Sequence, residues 1–131
     1  MWKHLCAMFF LAFTFLSGQV FSQAVVFKDV KMYNRTSMES KPTKRDVYLN
    51  LDRTGKALVA VADNRVQLTI PYAWVSSITY EHKNDHLLTI QYKGSQDSGL
   101  FAQFELNGGN RDQILAAIEA DTGVKVSRVG S

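Results

Sequence analysis

Residues Arg65–Tyr92 read RVQLTI, PYAWVSSITYE and HKNDHLLTIQY, and this stretch decides the architecture. Its three runs are rich in β-branched and aromatic residues, which suit a pleated, half-buried surface. Val66, Leu68 and Ile70 alternate with Gln67 and Thr69, the period-two pattern of a strand with one face inward. Pro71 has no amide hydrogen to offer a ladder, so it ends that strand or marks a corner. A second strand is expected over Ala73–Glu81, with Ile78 and Tyr80 opposite Ser77 and Thr79. Lys83-Asn84-Asp85 then closes a hairpin into Leu87–Tyr92.

Upstream, Val47, Leu49 and Leu51 share one side of a strand that starts near Arg45. Asp52–Lys56 supplies a turn, with Gly55 suited to a positive φ. Ala57–Ala62 is the next strand, and Asp63-Asn64 is a tight turn because both residues tolerate left-handed geometry. Val25–Tyr33 is a candidate first strand whose alternation is imperfect. Asn34–Lys44 is polar, contains Pro42 and reads as a loop. Asn34-Arg35-Thr36 fits a glycosylation sequon, a triplet common by chance.

Downstream, Lys93–Gly99 is a turn and Leu100–Leu106 a strand with Leu100, Ala102, Phe104 and Leu106 on one face. The period then changes. Asn110 is placed as an N-cap, with Gln113 at capping-box spacing. Ile114, Leu115 and Ile118 form an apolar stripe, with Arg111, Glu119 and Asp121 outside it. Gly123 suits the position after the last turn, and Val124 is placed to pack back. A helix is expected over about residues 110–122, followed by a short strand or tail. The fold class is mainly β with one C-terminal helix: an antiparallel barrel or sandwich of six or seven strands, capped by the helix.

The first 24 residues, MWKHLCAMFFLAFTFLSGQVFSQA, read as a secretory signal peptide. Lys3 and His4 make a positive start, Leu5–Leu16 an apolar core, and Ser22-Gln23-Ala24 a small-residue cleavage site. An uncleaved anchor is the alternative, although the apolar run is short for a bilayer span. Residues 25–131 then make one domain, secreted or periplasmic. Its only candidate staple, Cys6, lies in the leader, which excludes disulfides and thiolate chemistry from the domain. A cysteine-free exported domain points to a bacterial source and to stability from packing. The formal charge is +3, falling to about +2 without Lys3, and the charges are dispersed. Nothing in that pattern points to nucleic acid.

The meander ending LTIPYAWVSSITYE and HLLTIQY, the later strand LFAQFEL and the closing DQILAAIEADTGV together resemble the pleckstrin-homology-like superfamily, including its GRAM-type and bacterial members. A strand leading into I-P-Y-x-x-I/V, followed by another strand, recurs at this place in those domains. Here it is Ile70-Pro71-Tyr72 followed, after two intervening residues, by Val75. The resemblance covers Arg45–Val126 and implies a barrel that carries protein, peptide or lipid contacts on its loops and open edge. It also implies headgroup contacts from the loop joining the first two strands. In this chain that loop is DRTGK, contributing Arg53 and Lys56.

Chemistry-bearing motifs are sparse. The chain has no G-x-S-x-G elbow and no phosphate-cradling glycine loop. His82 and His86, with Glu81 and Asp85 beside them, have a spacing that suits zinc on a helix, but they flank a hairpin turn. A small metal-dependent hydrolase built on them is the least favoured of three readings. The first is a non-catalytic module without cofactor that recognises a protein or peptide, through a strand edge or through Tyr72 and Trp74. The second is an anionic membrane-surface binder using Lys44, Arg45, Arg53 and Lys56.

Overall fold

The computed structural model describes residues 24–34, 43–94 and 99–130. The strands are β1 (Ala24–Asn34), β2 (Thr43–Asp52), β3 (Ala57–Ala62) and β4 (Arg65–Pro71), then β5 (Val75–Glu81), β6 (Leu87–Lys93), β7 (Gly99–Glu105) and β8 (Val126–Val129). A 3₁₀ turn (Tyr72–Trp74) joins β4 to β5, and helix α1 (Arg111–Thr122) lies between β7 and β8. One open sheet runs in the order β4-β3-β2-β1-β7-β6-β5-β8. It makes a small sandwich, its halves β1–β4 and β5–β8 joined where Lys31 pairs with Glu105 and Met32 with Phe104.

The mainly β class with a single C-terminal helix is as expected, with three differences. There are eight strands among the described residues, not six or seven. The sheet is not closed into a barrel. It is also not wholly antiparallel, because β8 pairs parallel to β5, Ile78 opposite Val126. Gly123, at φ +77°, reverses the chain after the helix, and the Val126 N–H donates to Glu119 Oε2 at 2.8 Å. The tail is thereby laid along β5.

Three bulges account for the sequence pattern that simple alternation missed. On β1, Phe27 faces Leu49 but Val30 faces Val47, so one extra residue is inserted, and Asp29 takes φ +61°. An inserted residue swaps which parity faces inward. That is why Val25–Tyr33 alternates imperfectly and still forms a strand. On β4, Leu68 pairs with Ala60 and Val66 with Val61, leaving Gln67 extra. Its side-chain amide donates to the carbonyls of Ala62 and Arg65. Val66 is thus turned outward and is 62% exposed, contrary to its expected inward face. A third bulge falls at Ser76 on β5.

Other local expectations divide cleanly. Asp63 and Asn64 both have positive φ, 53° and 60°, as the two-residue hairpin requires. In the preceding loop Lys56, not Gly55, carries the positive φ. Gly55 packs closely instead: its N–H donates to Asp52 Oδ1 at 2.9 Å, and a Cβ there would lie 2.6 Å from Asp52 Oδ2 and push that carboxylate aside. Thr43 and Lys44, read as loop, begin β2, and Asn34 ends β1. Residues 35–42 lie outside the described residues, as does the leader expected over residues 1–24 except for Ala24, which is the first residue of β1.

The core lies between the two halves. Val30, Leu49, Leu51, Leu58 and Ile70 come from one side, Ile78, Leu88, Ile90 and Phe104 from the other. Ile114, Leu115 and Ile118 of α1 complete it, all buried, as the helical stripe predicted. The helix start is held differently from expectation. Asn110 makes no side-chain cap; its Nδ2 donates to the Lys28 carbonyl at 2.7 Å. That carbonyl belongs to the β1 bulge, so the irregularity in the first strand fixes where the helix begins.

Candidate functional site

The surface best built for contact is the corner after Pro71. A 3₁₀ turn has about three residues per turn, so residues two apart point in different directions. Tyr72 and Trp74 therefore do not act as a pair. Tyr72 turns toward the helix, where its hydroxyl donates to Asp121 Oδ2 at 3.0 Å. Its N–H donates to the Lys56 carbonyl at 2.8 Å. Arg53 Nε reaches the same Asp121 oxygen at 3.1 Å. Asp121 was expected on the outer face of the helix; its side chain is instead only 9% exposed. Periodicity within the helix cannot reveal a partner supplied by another loop. Burial first, and the Asp121 carboxylate second, hold the Tyr72 phenol well above its ordinary range. The loop after β2, the corner and the last turn of α1 are thus tied together.

Trp74 points the other way and is 38% exposed, and Leu100 at the start of β7 is 43% exposed. Both approach Gly94: Trp74 Cζ3 and Leu100 Cδ1 lie 3.8 and 3.7 Å from where its Cβ would stand. Leu100 shares the inward face with Ala102 and Phe104, as read from the sequence, but sits where the sandwich opens. Phe101, also exposed, stands on the opposite face of β7 against Gln91. The result is an exposed apolar patch beside a corner that Tyr72 ties to the helix.

The basic residues are distributed rather than gathered. Lys44 Nζ sits 2.6 Å from Glu105 and 5.4 Å above the Tyr33 ring, and its bond to Glu105 holds the ammonium above its usual range. Arg45 Nη1 donates to Gln67 Oε1 at 2.7 Å. Both stand at the start of β2, whereas Arg53 and Lys56 follow its end. Seven residues of strand, Asp46–Asp52, on the order of 25 Å, separate the two pairs. The DRTGK loop also joins β2 to β3, not the first two strands, because the bulged β1 precedes them. At that end Arg53 and Lys56 line a shallow cleft with Tyr72, Ala73 and Asp121.

His82 and His86 do come together. Their rings are 5.0 Å apart and edge-on, across the hairpin turn. Tyr80 Oη and His86 Nδ1 are 3.0 Å apart, and Arg111 Nη1 lies 3.5 Å from His82 Nδ1. Among the described residues, no three His, Cys, Asp or Glu side chains are grouped to hold a metal ion. Arg111, with Arg128 of β8, is the neighbour that sequence reading missed. The missing signal was β8, whose parallel pairing carries Arg128 past Tyr80.

No known family model matches this chain, and no curated protein matches it.

Proposed function

We propose that this is a non-catalytic binding module, of pleckstrin-homology-like kind, that recognises a protein or peptide in the periplasm or outside the cell. The observation that carries the reading is the Trp74–Leu100 patch. Two large apolar side chains stand half-exposed side by side, on a corner pinned by the Tyr72–Asp121–Arg53 contacts. Tryptophan at a rigid, partly open position is a favoured interface anchor, since little side-chain freedom remains to be lost on binding. The sheet also leaves β4 and β8 as open edges, which suits partner strands. Lipid headgroup binding receives less support, because the four candidate cations fall in two distant pairs and three of them already have partners.

The test is a photo-crosslinking amino acid placed at Trp74 in cells, with the exposed Tyr48 position as control. A discrete protein adduct from position 74 that position 48 lacks, and that Leu100→Asp abolishes, is the expected result. Lipid adducts, together with salt-sensitive sedimentation on anionic vesicles, overturn the reading in favour of a membrane-surface module.

A further inference from the structure

At the other end of α1, Tyr80, His82, Arg111, Arg128 and Val129 line a second cleft. Asn110 precedes the helix and Arg111 opens it, so Arg111 projects over the hairpin turn that carries His82. β8, running beside β5, brings Arg128 opposite Tyr80 in the ladder. Two guanidinium groups from distant parts of the chain thereby converge. One carboxylate serves both: Asp112 Oδ1 lies 3.2 Å from Arg111 Nε and 4.0 Å from Arg128 Nη1.

That carboxylate is unlike the one at the far end of the helix. Its side chain is 74% exposed, and no hydrogen bond beyond Arg111 fixes it among the described residues. Exposed ion pairs of this kind contribute little to stability and exchange readily with solvent ions. The separation of the two arginines is nevertheless one that a single oxyanion spans. Arg111 also keeps Nη1 turned to the imidazole of His82, and Tyr80, with its hydroxyl on His86, forms the floor. Guanidinium forks match the paired oxygens of carboxylates and phosphates.

We propose that this cleft is a binding site for a small oxyanion, a carboxylate or a phosphate group, and that Asp112 is its exchangeable internal occupant. An incoming anion displaces Asp112 from between Arg111 and Arg128, while His82 borders it on the hairpin side. The site is separate from the Trp74 corner, one helix length away at about 18 Å for twelve residues. It stands whether or not that corner binds a partner.

The occupancy of Asp112 gives the test its sign. The ¹⁵N-labelled full chain is titrated with inorganic phosphate, and separately with acetate, at constant ionic strength. Saturable amide shifts at His82, Arg111, Asp112 and Arg128 are expected, with either anion alone sufficient. Asp112→Asn removes the competitor and tightens binding by up to about fivefold, the range of an exposed ion pair. Arg111→Gln and Arg128→Gln each weaken it about tenfold, as loss of a charged hydrogen bond does. Arg53→Gln, at the opposite end of the helix, leaves it unchanged. Shifts that grow linearly without saturation, or Asp112→Asn that weakens binding or leaves it the same, overturn the proposal. So does a response of His82 and His86 to zinc(II) with none to either anion, which would make the cluster a metal site instead.

Discussion

Each end of α1 places an aspartate against an arginine, and the two pairs have opposite properties. Asp121 is almost covered and accepts from Arg53 and from the Tyr72 hydroxyl. Asp112 stands in solvent, near Arg111 and Arg128 and held by nothing else described. Identical chemistry therefore acts as a fixed tie at one end and as a replaceable ligand at the other. What differs is desolvation. A carboxylate withdrawn from water is committed to its partners, because removing one leaves the rest buried and unsatisfied.

The comparison can be broken at its middle. Ile118 is fully buried and holds the helix between the two ends, so Ile118→Ala should lower unfolding free energy by about 2–5 kcal/mol in urea titrations and loosen both ends together. If only the Asp121 end responds, the ends are not coupled through the helix. Asp121→Ala is next, at about 2 kcal/mol, discounted because Arg53 keeps access to water. Asp112→Ala should leave the urea midpoint unchanged in the same experiment. Equal losses from the two would abolish the distinction.

Tyr72→Phe should cost about 1 kcal/mol, the usual worth of one hydrogen bond. The phenol also gives the fixed end a pH signature. Its folded pKa is raised above the unfolded value, so its contribution is complete below pH about 10 and declines as pH rises beyond that. Tyr92, raised by burial, adds to the same decline. Thermal melts between pH 8 and 11 should therefore fall toward the alkaline end, and less steeply in Tyr72→Phe. A small stability effect is expected from Trp74→Ala, which removes a half-exposed side chain; its melting temperature should shift by no more than a few degrees.

Much of this fold was legible because it is local. The Asp63-Asn64 turn, the Ile114, Leu115 and Ile118 stripe, and the left-handed Gly123 each follow from a few neighbouring residues. What escaped depends on distant chain segments. The bulges at Asp29 and Gln67 invert inward parity without any glycine to mark them. Asn110 reads as a cap, but the carbonyl exposed by the β1 bulge captures its amide. Asp121 reads as solvent-facing until the loop after β2 supplies Arg53. The candidate contact site was half legible: Trp74 stood out beside Pro71, whereas Leu100 looked like core and proves to be core that the sandwich end leaves uncovered. Arg111 and Arg128 offered no sequence signal, being seventeen positions apart and joined only by the parallel placement of β8.

The narrow join between β1 and β7 governs how this chain assembles. Within the halves, β1 to β4 and β5 to β7 pair as neighbours in sequence, and β8 returns to β5 across the helix. The two residue pairs at Lys31 and Met32 instead unite positions roughly 70 apart, and they do so with few hydrogen bonds. The seam is therefore expected to pair last in folding and to open first. Amide exchange should accordingly be fastest, within the sheet interior, at that two-pair seam.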